Sequence, residues 1–445
     1  MQTPYTSHPM DVICFLTLIT FVVIFGLIMW ERIPRMYLAV LGAVLVVALG
    51  VFDVQEAVNA VNWETIAFLW GMFLLVEILV EAGFFNWVSW MVAKGLDYDP
   101  LKILIFFPIL SFVLSALINS ITVMLFLSVV TFNLSRHLKF DPLPVVVSEV
   151  VLANIGGAAT LVGDPPNVIL GTALGLGFND FLIHNGPVAL AAGAAAMILI
   201  YFMHRKNFME YRKNQDGEEL RRMTTTAQIK DLYLLRCGIA GMAVMLVLLI
   251  GRPLLSQWHI PISIALSSLL PAFMILTFGG RRIYQCHFMR RIDSETLLFF
   301  IGLFVLIGAL EKRFIIQTAA DFLASLFKTP AGFISSIFWG GGFFSAFVDN
   351  VPLAMAMTFI IKQSVIDHLV PGIGIMVWAT SLGVDLGGNL TPIGASANVV
   401  AYSYLQKSGI GVGWGRWARL ALPPALAAMA VSYIAVLLKL WFKFF

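Results

Sequence analysis

The chain has 445 residues, 60% of them hydrophobic and 12% charged, with a formal net charge of +3 and a mean hydropathy of +0.90. No water-soluble domain of this length could carry that composition without very large exposed apolar patches, so the sequence reads as a membrane protein. The small charge argues against a nucleic-acid partner, and Cys14, Cys237 and Cys286 are too widely spaced for a disulfide framework or a thiolate metal site.

The apolar runs are helix-length, which excludes the short alternating segments of a barrel. The first, residues 12–30, follows MQTPYTSHPMD, which has no basic n-region, and is read as a retained helix and not a cleaved signal. A second span covers 36–52. The acidic stretch 52–64 should face outward, before a third span at 65–82. Glu64 and its later counterpart Glu295 stand at helix starts, as caps or snorkelling residues, while Glu77 and Glu81 lie four apart on one helix. Residues 101–136 form an apolar pair of segments with polar Asn119 and Ser120 between them, read as a re-entrant hairpin. A span at 144–172 is interrupted by GGAATLVGDPPN, and another follows at 187–203, with His184 and His204 as boundary residues.

Residues 204–231 are the long polar stretch, rich in Lys and Arg, and residues 279–293 are similarly basic; both should face the cytoplasm. The first of these offers a surface on which an ATPase subunit could sit. Between and after them come spans at 235–251, 262–279 and 296–311, a second hairpin at 331–366 with its tip at Asp349 and Asn350, an interrupted span at 372–404 and a last span at 418–440. Sequons at Asn133 and Asn389 fall in membrane segments and are discarded.

The second half of this chain repeats the first. Residues 154–168 (NIGGAATLVGDPPNV) align without gaps on 385–399 (DLGGNLTPIGASANV), with Gly156/Gly387, Gly157/Gly388, Thr160/Thr391, Gly163/Gly394, Asn167/Asn398 and Val168/Val399 identical. The same offset puts Glu64, Thr65, Phe68, Gly71 and Phe73 on Glu295, Thr296, Phe299, Gly302 and Phe304; one residue of slippage sets ALINSITV (116–123) on AFVDNVPL (346–353). The organisation is therefore a first repeat at 1–203 with scaffold helices in 12–82, the linker 204–231, and a second repeat at 232–445 with scaffold helices in 235–311. Each repeat crosses an odd number of times, so the second is inverted.

In hydrocarbon each unpaired backbone N–H or C=O costs several kcal/mol, so irregular backbone at mid-depth survives only against protein or a wet cavity. Paired glycines weaken both interrupted segments, and Pro165, Pro166 and Pro392 remove amide donors. Each segment is expected to be two half-helices around an unwound linker, the first ending near Asn154 and resuming at the prolines. Asp164, Asp349 and Asp385 then lie at mid-depth, where an ionisable side chain costs something like 3 kcal/mol even on lenient scales. No Lys or Arg occurs in the four short stretches 116–123, 154–168, 346–353 and 385–399, which favours protons, cations or neutral polyhydroxy solutes over anions. Asp349 and Asp385 are the best proton-coupling candidates, because their counterparts Asn119 and Asn154 are neutral, with Asp164 as the third. No cofactor motif is present. An intramembrane aspartyl protease is disfavoured, since Leu161 occupies the first glycine position of a Gly-x-Gly-Asp pattern.

NIGGAATLVGDPPNVILG and LGGNLTPIGASANVV resemble the paired signatures of the ArsB/NhaD branch of the ion transporter superfamily, in the arm that holds ArsB-type arsenite permeases and the melanosomal P protein. The resemblance spans the chain. It implies an all-α polytopic inverted repeat of two five-helix units, each with a re-entrant hairpin and a broken helix, and elevator-type movement of a transport domain against a scaffold. It places the solute site at Asn119, Ser120, Thr122, Asn154, Gly157, Thr160, Asp164, Asn167, Asp349, Asn350, Asp385, Asn389, Thr391, Ser396 and Asn398. The tips here read Asn-Ser-Ile-Thr and Asp-Asn-Val-Pro, unlike the Ser-Asn-Thr tips of dicarboxylate-transporting relatives, which argues against sodium coupling and dianion binding. The expected function is efflux of arsenite or antimonite, as the neutral trihydroxide, across the inner membrane in exchange for protons, with sodium–proton antiport as the alternative. A homodimer is compatible with this plan.

Overall fold

Asp-Pro dipeptides begin three helices around the centre, at residues 99–100, 141–142 and 164–165, and in the first two the aspartate caps the helix. Proline at the first helical position surrenders an amide that has no partner there, and the aspartate before it accepts from the next free one. Asp99 Oδ1 accepts from the Leu101 amide at 2.9 Å, and Asp141 Oδ1 from the Leu143 amide at 3.1 Å.

The computed structural model describes residues 11–30, 32–213, 229–260, 262–286, 288, 291–327, 329–366 and 372–444, and every regular element among them is helical. The first half runs α1 (Val12–Met29), α2 (Arg35–Ala48), α3 (Val54–Ala60), α4 (Trp63–Glu81), α5 (Phe84–Gly95), α6 (Pro100–Leu117), α7 (Ser120–Leu138), α8 (Pro142–Gly157), α9 (Pro165–Leu174), α10 (Phe178–His184) and α11 (Gly186–Lys213). The second runs α12 (Leu232–Gln257), α13 (Ile264–Phe278), α14 (Gly280–Gln285), α15 (Ser294–Lys312), α16 (Ile315–Leu326), α17 (Pro330–Ser345), α18 (Asn350–Ile366) and α19 (Ile373–Gly387). A 3-10 turn (Gly388–Leu390), α20 (Ser396–Lys407) and α21 (Trp414–Phe442) complete it. Among the described residues eight helices are long and apolar enough to cross a membrane, nine if α9 and α10 form one bent span.

The halves interlock. Helix α4 packs on α13 of the other half, and α2 packs on α15. Gly71 and Gly302, identical in the repeat, sit at these two crossings. A Cβ on Gly71 would lie 2.6 Å from Ser268 Oγ and 2.7 Å from the Leu269 nitrogen; one on Gly302 would lie 2.6 Å from the Ala39 carbonyl carbon. Only hydrogen in place of a side chain lets the backbones approach so closely. Helices α11 and α21 run side by side through the middle, and α6 packs on α8 as α17 packs on α19.

The first hairpin begins and ends on one face. Asp99, at the start of α6, pairs with Arg212 at 3.1 Å, and Asp141, just beyond α7, pairs with Arg416 at 2.8 Å. Arg212 ends α11 and Arg416 begins α21, so both hairpin ends and these two helix ends share one rim. The long basic stretch read as a linker starts as helix, since α11 continues through 204–213; residues 214–228, with the ATPase-docking surface assigned there, lie outside the described residues. In the second basic stretch Arg291 pairs with Glu81. Glu64 accepts from the Ile264 amide at 2.9 Å, so it caps a helix of the opposite half.

Five short helices, α3, α5, α10, α14 and α16, were not anticipated. Helices α5 and α16 occupy matched places between a long helix and a hairpin. Their apolar residues form one stripe, as in FFNWVSWMVAKG, which suits the membrane interface and dilutes the run-length signal that reveals a span.

Both interrupted segments break as expected, α8 from α9 at residues 158–164 and α19 from α20 around 388–395. Identical side chains hold the two linkers. Asn167 Nδ2 donates to the carbonyls of Gly157 at 3.0 Å and Thr160 at 2.9 Å; Asn398 Nδ2 donates to those of Gly388 at 2.8 Å and Thr391 at 2.7 Å. Thr160 Oγ1 donates to the Ala116 carbonyl at 2.6 Å, tying the linker to the first hairpin, and Thr391 Oγ1 donates to the Ala346 carbonyl in the second. A Cβ on Gly163 or Gly394 would stand 2.5 Å from the carbonyl oxygen of Gly157 or Gly388, so each linker folds flat against its own half-helix.

Two outcomes follow for stability. Gly302→Leu, which must displace the α2 backbone, should destabilise the protein in detergent by about 1–3 kcal/mol or prevent its accumulation, while Gly26→Leu, where a Cβ meets nothing within 4 Å, should melt like the wild type. Asn398→Ala leaves two buried carbonyls without their donor and should cost about 1–3 kcal/mol by the same melting measurement.

Candidate functional site

The breaks and the hairpin tips meet. Asp164 stands immediately before α9, and its two carboxyl oxygens are held by one residue from each tip. Ser120 Oγ donates to Oδ1 at 3.1 Å, and Asn350 Nδ2, from the opposite half, donates to Oδ2 at 3.0 Å. The Ser120 amide donates to the Gly163 carbonyl at 3.2 Å, which seats the first tip on the linker.

Four helices, α7, α9, α18 and α20, start at this centre, and four, α6, α8, α17 and α19, end close to it. Helix starts favour negative charge and helix ends disfavour it. Asn119 Oδ1 caps α7 by accepting from the Ile121 amide at 2.9 Å, and Asp349 Oδ1 caps α18 by accepting from the Val351 amide at 3.2 Å. Asp349 Oδ2 accepts from Arg35 Nη1 at 2.6 Å and from Ser396 Oγ at 2.8 Å, and Arg35 also reaches Ser396 Oγ at 2.8 Å. This basic residue begins α2 and lies 5.1 Å over the Phe299 ring of α15.

Asp385 has the opposite surroundings. It is wholly buried in the last turn of α19, and neither carboxyl oxygen has a hydrogen-bond partner among the described residues. Asp164 is near enough for each carboxyl to sense the other, and Asn350 approaches Asp385 without completing a hydrogen bond. Alongside lies an amide cluster in which Asn154 Nδ2 donates to Asn389 Oδ1 and Asn398 Oδ1, both at 2.8 Å. Asn154 Oδ1 and Asn389 Nδ2 have no hydrogen-bond partner among the described residues.

Of the fifteen positions inferred from the resemblance, Ser120, Asn154, Asp164, Asp349, Asn350, Asp385, Asn389, Ser396 and Asn398 come together as polar side chains at this centre. Thr160, Asn167, Thr391 and again Asn398 hold the linkers through their carbonyls, and Asn119 caps a helix. Gly157 contributes a carbonyl, and Thr122 is half-buried on the first turn of α7. Arg35, Ser381, Asn185 and Glu149 were not anticipated. Ser381 Oγ donates to Asn167 Oδ1 at 2.6 Å and accepts from Asn185 Nδ2 at 3.0 Å. Its spacing one turn before Asp385 could have revealed it; nothing local marks Arg35, whose partners are more than three hundred residues away. Glu149 is buried in α8, where Thr131 donates to Oε1 and Oε2 has no hydrogen-bond partner among the described residues.

An apolar cavity of about 490 Å³ between α6, α8 and α11, lined by Ile105, Phe112, Leu152, Leu190 and Met197 among others, has almost no polar wall. It cannot recognise a hydrophilic solute. No cluster of metal-ligating side chains occurs among the described residues.

Comparison with known proteins agrees with this architecture. An uncharacterized transporter of Mycobacterium tuberculosis is 31% identical over 434 residues, covering 96% of this chain and 97% of its own. The P protein of Homo sapiens is 27% identical over 496 residues, covering 92% of this chain and 58% of that protein. The crystal structure of the Alcanivorax borkumensis YdaH transporter, described as having an unusual topology, superposes with a TM-score of 0.56 over 98% of this chain and 99% of that one, at 10% identity, a likeness of fold. Residues 25–383 match the citrate transporter family, and the chain is therefore a multi-pass membrane transporter, not an enzyme, that belongs to that family.

Proposed function

We propose that this chain is a proton-coupled secondary transporter of the ArsB and P protein arm, extruding arsenite or antimonite across the inner membrane by elevator-type movement. One observation carries the reading: the Asp385 carboxyl is buried, has no hydrogen-bond partner among the described residues, and sits at the negative end of α19 beside a second acid. The field there repels a carboxylate and attracts a proton or cation, and two acids sharing one enclosed space cannot both be charged without compensation. Asp164, capped at a helix start by two donors, tolerates charge; Asp385 takes and gives up the proton. Asp349, paired with Arg35, has a separate task.

The cargo follows from the remaining groups. Unpartnered amide atoms of Asn154 and Asn389 offer one acceptor and one donor, which match the hydroxyls of a small neutral trihydroxide. A citrate trianion would meet Asp164, Asp349 and Asp385, with Arg35, already engaged, the one cation bonded at the centre among the described residues. Sodium–proton antiport is the second reading, favoured by the same unpartnered acid. The basic stretches face the cytoplasm in this reading, and the residues named at the centre all come from one chain, whether monomer or homodimer.

Proteoliposomes holding a pH gradient test this. Arsenite or antimonite should collapse the gradient, whereas Na⁺ and citrate should leave it intact; Asp385→Asn should reduce the proton movement to that of protein-free vesicles. Collapse by Na⁺ alone would select the second reading, and collapse by citrate would overturn the cargo assignment.

A further inference from the structure

The repeat makes it possible to ask which features of the centre have a mirror image. Crossing glycines set the register of the outer helices: Gly302 meets Ala39 and Val40 on α2, and Gly71 meets Ser268 and Leu269 on α13. In that register Arg35, the first residue of α2, matches Ile264, the first residue of α13. Asp349 matches Asn119, and Ser396 matches Pro165. All three members of the Arg35, Asp349 and Ser396 cluster therefore have counterparts that carry no charge, and two of the three have no polar side chain. The ring beneath the guanidinium is matched, since Phe299 corresponds to Phe68, so the seat is duplicated and the charge pair is not.

In a carrier built from inverted repeats, the opposite-facing state arises when the two halves exchange conformations. The contact that α2 makes with the second tip then becomes the contact that α13 makes with the first, which here joins Ile264 to Asn119. We propose that Arg35 is a positioning residue that latches the second hairpin and the start of α20 in the facing state seen here, that no equivalent latch forms in the other state, and that neutralising Asp349 releases it. This rests on the carrier reading above.

The geometry suits a latch that can open. The Arg35 side chain is 37% exposed and that of Asp349 11%, so water reaches the pair and the bond is not buried beyond recovery. Arg35 is the cation in contact with Asp349 among the described residues, and Asp164 is the acid close enough to sense it. A cargo hydroxyl engaging Asp349 and Ser396 competes directly with the guanidinium, linking occupancy of the centre to release of α2.

The test needs no cargo. Spin labels on Val44 of α2 and Phe343 of α17, both exposed, in a chain whose three cysteines are replaced by serine, report the separation of the outer helix from the second hairpin by pulsed electron resonance. The wild type should give one dominant distance. Arg35→Gln and Asp349→Asn should each populate a second distance, moving the ratio of states by roughly three- to tenfold, with Arg35→Lys intermediate. The reversed pair, Arg35→Asp with Asp349→Arg, should restore the single distance. Wild-type distributions in both neutral variants would overturn the latch and leave proton coupling untouched, whereas failure of proton coupling in vesicles would not change these distances. If one neutral variant does not accumulate, the other decides the question alone.

Discussion

Backbone pairing inside the bilayer is the constraint on which this molecule depends. A helix interrupted in hydrocarbon exposes carbonyls and amides that water cannot satisfy, and each costs several kcal/mol if left alone. Two asparagines and two threonines answer for both interruptions: Asn167 and Asn398 each bridge two linker carbonyls, and Thr160 and Thr391 tie the linkers to the hairpins. Once the breaks are held, helix starts and helix ends can converge at the centre. The acids there are then sorted by position, with Asp164 and Asp349 at helix starts and Asp385 in the last turn of a half-helix.

What the two halves share and what they do not divides structure from chemistry. The shared residues are glycines at close crossings and linkers, and the side chains that hold the breaks; they make the same contacts twice. The unshared residues are the charged ones: Asp164 against Ala395, Asp385 against Asn154, Asp349 against Asn119, and Arg35 against Ile264. A strictly symmetric carrier would have equal energies in its two facing states. Charged residues whose counterparts in the other half are uncharged make those states unequal.

Much of the architecture was legible because it rests on local chemistry. Gly-Gly and Asp-Pro-Pro cannot continue a helix, and the same pattern of breaks and apolar runs recurs in both halves. Arg35 escaped notice because its role depends on where α2 ends in space, and a basic residue beside a proline at a membrane boundary is ordinary in any span. Thr160, Asn167 and Thr391 stand in the shared signature as polar residues, and that their side chains bond to backbone carbonyls at the breaks is a use that a list of polar residues does not reveal.

Sequence alone determined that the chain is a helical membrane protein, that it contains one unit written twice in opposite orientations, and that acids lie where the helices break. These follow from residue-level energies: hydrocarbon excludes unpaired polar groups, and glycine and proline deny the helix its continuity. Only the tertiary structure decided which acids are partnered, since Asp164 is gripped by both tips, Asp349 is bound to Arg35, and Asp385 is left without a donor. The physical reason is that a carboxyl's state is set by dipoles and donors within a few ångströms, and those neighbours are assembled from segments far apart in the chain.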